Sequence, residues 1–494
     1  MRPLAPILAV PLLALRLAAQ PPAPAERRAP SAEPAILGTW LGTAGFPTDR
    51  AEIGFEFKYN SKHELKVYLY QHLMNFYGLE IPGPVTADAD HYTNPDWSID
   101  LTLKGDTLSG TYFPFNAPIR LVRTKTLPSE VPIPNLPAGP GPRWRVKLDA
   151  AIWAPAATRD SFAYVGTEGG VFHAVNLNTG KVAWTFPAGR PIFGEALVTD
   201  STLYFVCDNG YLFALDRLTG AERWRYDLGD SRSSRILPHE TVYDYEIKSP
   251  RPLLVDGVLY VGSGDSSFHA VGASTGRRRW RVQVDGKVRS SAVLYKNRVI
   301  FGTFAGQVYA LDRTTGNFLW KKETHGRLNS NPAIIGDNVI IGNYNGIVAG
   351  INADSGKTAW RMLLWGSSVF SDPIEDDGTM LIGASDLRRV QRIDPKDGRV
   401  IWRTDVYGWA WARPAVKGDL IFQSVASGIP YDMRHASSFT ALDRKTGAIV
   451  WRWPMPEWAG SYMNGFAAGA VVAGDYVVAG AVDGTLYVFP ALRQ

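Results

Sequence analysis

Cysteine is almost absent from this chain. Cys207 is the single one in 494 residues, so no internal disulfide can form, and its place after Leu203–Val206 predicts a buried thiol acting as a small hydrophobe. Histidine is scarce too, with eight in all. None fall at metal-ligand spacing, so no metal site is expected, and His325 and His435 sit in predicted loops as surface or hydrogen-bonding groups rather than acid–base ones. The formal charge of +5 is small for the length, and the one short basic run, Arg277–Arg279, lies in a predicted turn. That argues against a nucleic-acid partner. No nucleophile elbow, phosphate-binding loop or zinc signature occurs. Past the first residues, no apolar run is long enough to span a bilayer, so no transmembrane segment is expected.

The ends of the chain carry their own signals. Arg2 followed by the apolar run Leu4 to Leu15 and then by small residues reads as a signal peptide over residues 1–25, with cleavage between Ala19 and Ala25. The expected location is periplasmic or secreted. No cysteine stands at the cleavage point, so no lipid anchor is expected. After a Pro/Ala-rich stretch, residues 36–124 alternate in short runs such as Glu64 to Gln71. They predict a small antiparallel β-meander or open barrel. Residues 125–142 are a proline-rich, semi-rigid linker.

From Arg143 to the end at Gln494 one pattern repeats. A glycine is followed four residues later by a tryptophan at Gly180/Trp184, Gly220/Trp224, Gly276/Trp280, Gly316/Trp320, Gly356/Trp360, Gly398/Trp402 and Gly447/Trp451. Tryptophan spacings of 40, 56, 40, 40, 42 and 49 residues match the length of a four-stranded propeller blade. In the fullest copy, Val299 to Trp320, an apolar strand ends in Gly302 and a tight turn leads to a second strand. Asp312 then caps the turn at Thr315-Gly316 before an outer strand that ends in Trp320. The indole should lie over Ala310 and over the glycine of a neighbouring blade. Such docking is expected to bury a large apolar area at each of the seven tryptophans while offering one N–H donor.

This motif, Ala-x-Asp-x-x-Thr/Ser-Gly-x-x-x-Trp, resembles the tryptophan-docking repeat of the PQQ-like β-propeller family over residues 143–494. Departures are local: Gly272 replaces the acid, Asn176 and Asn352 replace it conservatively, and Arg392 replaces the small residue. The last copy, Tyr476 to Phe489, lacks a docking tryptophan, whereas Arg143 to Leu148 is an orphan outer strand. Joined, they make an eighth blade closed by both termini, which removes two exposed sheet edges. The expected class is therefore all-β: an eight-bladed propeller preceded by a small β module.

Two intervals exceed the period, at Asp230 to Ser249 and at Ser424 to Ser438. Both insertions should reach the same face of the ring. Alignment on Pro332, Pro373 and Pro414 puts Asn331, Asp372 and Arg413 where the central tunnel opens, with Glu195, Arg251 and Ser291 at the matching positions of other blades and Arg289 nearby. The plainest reading of such residues is the lining of a water-filled channel. Trp409, Trp411, Trp458 and Tyr462 form either core packing or an aromatic platform.

The resemblance extends to quinoprotein alcohol dehydrogenases and to the propeller component of the outer-membrane barrel-assembly machinery. The former implies PQQ with calcium, an acidic base and, in many members, a vicinal cysteine pair; this chain cannot supply the pair. The leading expectation is thus an exported non-catalytic scaffold with no cofactor, binding a protein or an acidic small ligand. The alternative is an exported quinoprotein-like oxidoreductase or carbohydrate-active protein working at the tunnel mouth.

Overall fold

The computed structural model describes residues 34–46, 49–112, 116–229, 235, 246–328, 330–364, 371–428, 435–456 and 463–492. The segment expected to be a signal peptide, the centres of both insertions, Trp458 and Tyr462 lie outside them. The described residues hold strands and two single-turn 3-10 segments, with no α-helix. Eight separate sheets of four strands follow residue 143, the seventh carrying one further strand. We number these blades 1 to 8, with innermost strands starting at Ala157, Leu197, Leu253, Val293, Ala333, Ile374, Ala415 and Val471.

Blade 4 shows why the repeat folds this way. Its second and third strands, Arg298–Gly302 and Gln307–Asp312, are buried on both faces, because blades 3 and 5 cover them. The outer strand Phe318–Glu323 alternates exposed and half-buried residues. Asp312 accepts bonds from the Thr314 and Thr315 amides, both at 2.9 Å, and holds the turn in which Gly316 takes a φ of +77°. Trp320 then faces Ala310 across the sheet and donates from Nε1 to the Ala353 carbonyl of blade 5 at 3.0 Å. A Cβ on Gly356 would come within 2.9 Å of the same indole. Packing therefore demands the repeat's glycine as much as the turn does.

The same seam recurs between other blades, with one correction to the burial expected of it. Trp184, Trp224 and Trp280 donate from Nε1 to the carbonyls of Arg217 (3.3 Å), Ala273 (3.1 Å) and Arg313 (3.1 Å). Their rings lie against Gly220, Gly276 and Gly316 of the next blade. Yet Trp184, Trp224, Trp280, Trp320 and Trp402 are only half-buried, whereas Trp360 and Trp451 are buried. The docking strand is the outermost of its blade, so an indole there keeps one side towards solvent unless something covers the rim. The N-terminal module covers Trp360, and the linker covers Trp451.

Departures from the motif are accommodated locally. Where Gly272 replaces the acid, the Gly276 amide still bonds the Gly272 carbonyl at 2.8 Å. Arg392 lies over the Trp402 ring at 5.7 Å and pairs with the buried Asp376, which Arg444 also contacts at 2.8 Å. Arg392 also donates to the Arg444 carbonyl at 2.9 Å, which stands where the other seams offer an acceptor to the indole. Trp402 Nε1 accordingly has no partner among the described residues.

The ring closes as the repeat count predicts. Trp144–Lys147 pairs antiparallel with Thr485–Val488 as the outer strand of blade 8. Trp144 lies against Gly180 of blade 1 as the other indoles lie against their neighbours. The last interface has no Thr-Gly turn to offer Trp451, and the linker supplies the substitute. Ala138 bridges Arg452 in parallel, and Gly139 sits over Trp451, where a Cβ would be 2.4 Å from the indole.

Residues 38–123 form one nine-stranded antiparallel sheet, two meanders joined through Gly38–Phe46 and Ala117–Arg123. It curls around Trp40, Phe55, Leu69, Tyr92 and Leu121, all fully or almost fully buried. Curling presses backbones together at Gly42 and Gly110, where a Cβ would stand about 2 Å from a facing carbonyl oxygen. The sheet's apolar interior continues into the core between blades 5 and 6, through Trp360, Leu364 and Met380. The module is thus packed against the side of the propeller.

Candidate functional site

Two residues before each innermost strand the chain reaches the propeller axis. The eight residues there, one per blade, are Pro155, Glu195, Arg251, Ser291, Asn331, Asp372, Arg413 and Gly469, and all line one cavity of about 40 Å³. Six of the seven residues singled out from sequence at the tunnel mouth are in this ring. The seventh, Arg289, lies two residues before Ser291 and is buried against Glu246, Nε to carboxylate 3.4 Å.

The polar part of the ring is a directed chain of hydrogen bonds. The Arg251 amide donates to Ser291 Oγ (2.9 Å), the Ser291 amide to Asn331 Oδ1 (2.6 Å), and the Asn331 amide to Asp372 Oδ1 (2.7 Å). Each blade's ring side chain thereby accepts from the backbone of the blade before it. Asn331 also donates from Nδ2 to Asp372 Oδ2 at 2.8 Å. Lys248, at the end of the first insertion, reaches across to Asp372 at 2.6 Å. Glu195 sits between two arginines, 3.5 Å from Arg251 and 3.2 Å from Arg413. Lys248, Arg251 and Arg413 against Glu195 and Asp372 leave the wall one positive charge in excess.

The axis is not a water-filled channel. Trp153, Phe193, Ile247, Trp409 and Trp411 form a buried apolar cluster there with Met463 and Ala467. Trp409 and Trp411 stack with ring centres 4.5 Å apart and planes 7° from parallel. Their indoles donate to Asp386 (3.1 Å) and Ser385 (2.8 Å), and both are under 5% exposed. They pack the core and present no platform to solvent. Trp153, Phe193, Trp411 and Ala467 each stand two residues before their blade's ring residue, where an apolar residue looks like ordinary core; sequence reasoning missed Trp153 and Phe193 for that reason, and Lys248 because it lies in an insertion that breaks the period. The usable signal was the first insertion, which delivers Ile247 and Lys248 to the axis. Its Arg235 is buried above Phe193 (4.8 Å) and bonds Asp208 and Ser249.

A calcium-bound quinone would need six to eight oxygen ligands around the metal. The oxygens here are already committed: Asp372 to Lys248 and Asn331, the Asn331 carbonyl to Ser291, and Glu195 to two arginines. Among the described residues no cluster of three or more His, Cys, Asp or Glu could hold a metal. The single thiol, Cys207, is buried and its pKa is raised by that burial to about 11. The donor set does not fit such a centre.

A family model described as "Outer membrane protein assembly factor BamB" matches residues 138–248, 212–367 and 344–491. The chain belongs to this PQQ-like propeller family. BamB of Legionella pneumophila is 28% identical over 142 residues, covering 28% of this chain and 33% of that protein. The serine/threonine-protein kinase AfsK of Streptomyces coelicolor is 26% identical over 190 residues, covering 31% and 24%. The chain thus spans about a quarter to a third of the length of these curated relatives. Among solved structures, BamB from Moraxella catarrhalis superposes with a TM-score of 0.53 at 19% identity, over 70% of this chain and 96% of that one. Quinohemoprotein alcohol dehydrogenase from Comamonas testosteroni gives 0.53 at 14%, over 71% and 76%. Fold likeness is equal to a BamB protein and to a dehydrogenase, so the choice between them rests on the site. No helix among the described residues is long and apolar enough to cross a membrane.

Proposed function

We propose that the protein is an exported, non-catalytic propeller that holds a protein partner on the face bearing its two insertions. One observation carries the reading: every acid of the axial ring is already neutralised by a lysine or arginine at the same cavity. A general base needs an acceptor free to take a proton, and a calcium site needs oxygens free of cations. The BamB-type repeat supports the reading at the level of the family.

Both insertions leave the strands at the same end. The first connects an outer strand to the next inner strand, and the second joins the middle strands of blade 7, Leu420–Gly428 and Ser438–Asp443. Loops grafted on a rigid scaffold are where recognition resides. A photo-crosslinking side chain in place of His325, which is exposed on that face, should give a discrete protein adduct in the cell envelope. The same group in place of Leu218, exposed in a turn on the opposite face, should not. Equal adducts from both positions, or none from either, would defeat the proposal.

A further inference from the structure

We propose that the axial cavity is a receptor for a single carboxylate on a slender stem, gripped by Arg251 and Arg413. The inference deepens the scaffold reading by naming the chemistry of that site, and it rests on that reading.

The acids and the arginines of the ring are unequally buried. The acids are withdrawn, with the Glu195 and Asp372 side chains 14% and 13% exposed, while Arg251 is 42% and Arg413 29% exposed. Arg251 Nε is the only atom of that guanidinium bonded to protein among the described residues, weakly, to the Ala196 carbonyl at 3.4 Å. Both its terminal nitrogens lack a protein acceptor there. Arg413 touches Glu195 through one terminal nitrogen and has no other partner among the described residues. Both guanidiniums thus reach Glu195, from blades half a turn apart, with donors to spare, and paired N–H donors in a plane suit a carboxylate. A cation would meet three positive side chains at the same place, Arg251, Arg413 and Lys248.

Carbon-rich residues also line the cavity. Trp153, Phe193, Trp411 and Ala467 join Pro155 and Gly469 there, so a ligand stem of CH₂ groups would lie on carbon while its head meets the arginines. A volume of about 40 Å³ admits a carboxyl head or a few waters but not a sugar ring or a fused aromatic cofactor. Glu195 occupies the position between the forks that a ligand carboxylate would share. It is therefore a competitor, and its neutralisation should strengthen binding.

The shared chemistry could come from a free small acid or from an acidic side chain or C-terminus of a protein partner. Titration calorimetry on the full chain would use succinate and an Asp-terminated tetrapeptide, each against its amide. The acid should bind and the amide should not. Arg251→Gln and Arg413→Gln should each weaken binding tenfold or more, and Glu195→Gln should tighten it severalfold. Binding of the peptide alone would assign the site to a partner segment, and binding of succinate as well would show that the head group suffices. No binding of either acid at millimolar concentration, equal binding of acid and amide, or weaker binding by Glu195→Gln would overturn the proposal. Should the arginine variants fail to fold, the Glu195→Gln comparison still decides it. Loss of this inference leaves the scaffold reading standing, whereas quinone-dependent alcohol oxidation would remove that reading and leave carboxylate binding untouched.

Discussion

Trp320 and Gly356 belong to different blades, yet each is shaped by the other. Removing this half-buried indole from its seam should cost about 3 kcal/mol, the lower end for large aromatics. Gly356→Ala should also destabilise, through a φ of +69° and a Cβ 2.9 Å from the ring. In a Trp320→Ala background only the backbone strain remains, so the two losses should be less than additive by about 0.5–3 kcal/mol. Strictly additive losses in urea unfolding would mean that the contact is incidental. Such pairs were legible in the sequence because turn and indole recur at fixed spacing. How deeply each indole lies was not legible, since Trp184, Trp224 and Trp280 carry the same motif as the buried Trp360 and Trp451 and differ only in what covers the rim.

A second residue-scale feature was hidden as well. His269 is buried between Ser267 (2.7 Å) and Tyr226 (3.1 Å), and burial pushes its imidazole down to about 4. The native state keeps the ring neutral, whereas an unfolded chain titrates near 6.5, so the unfolded state binds more protons between those values. Stability should therefore fall as pH drops from about 6.5 towards 4, by up to ~1.4 kcal/mol per unit from this group. His269→Gln should flatten that part of the stability–pH curve. An unchanged slope would show that His269 titrates normally.

Among the elements, the closing strand and the linker do different work. Trp144–Lys147 covers the edge of Thr485–Val488, and its loss would bare a hydrophobic edge strand. Pro137–Gly139 adds only a short bridge to the outer strand of blade 7, but it places Gly139 on Trp451. Three truncations separate these roles, since all remove the curled module equally. A chain starting at Leu136 should melt highest, and one starting at Arg143 should remain monomeric but melt several degrees lower. A chain starting at Ala150 should aggregate. Equal solubility of the last two would disprove closure by the first strand. The leftover outer strand made closure readable in advance. The role of Gly139 was hidden, because one glycine in a proline-rich linker has no periodicity to mark it. The module's seat beside blades 5 and 6 was hidden likewise, as apolar residues that meet the blades look the same as those that only fill the module.

At the scale of the molecule, the repeat dictates a ring and its axis, but it leaves the contents of the axis open. The ring positions could be found by aligning prolines, and they do converge. Their partners were harder to read, because Lys248 arrives from an insertion and the plugging aromatics Trp153, Phe193 and Trp411, two residues before ring positions, look like ordinary core. Those side chains decide the chemistry: they fill the tunnel, neutralise the acids and leave arginine donors facing the cavity. Eight blades locked by shared tryptophans should unfold as one cooperative unit. An axis whose acids are already paired with lysine and arginine should not take up a calcium-bound quinone. Calorimetric titration of the full chain with pyrroloquinoline quinone, with and without calcium, tests it most directly. No calcium-dependent heat of binding is expected. Tight calcium-dependent uptake, weakened by Asp372→Ala or Glu195→Ala, would contradict it and make the axial ring a catalytic centre.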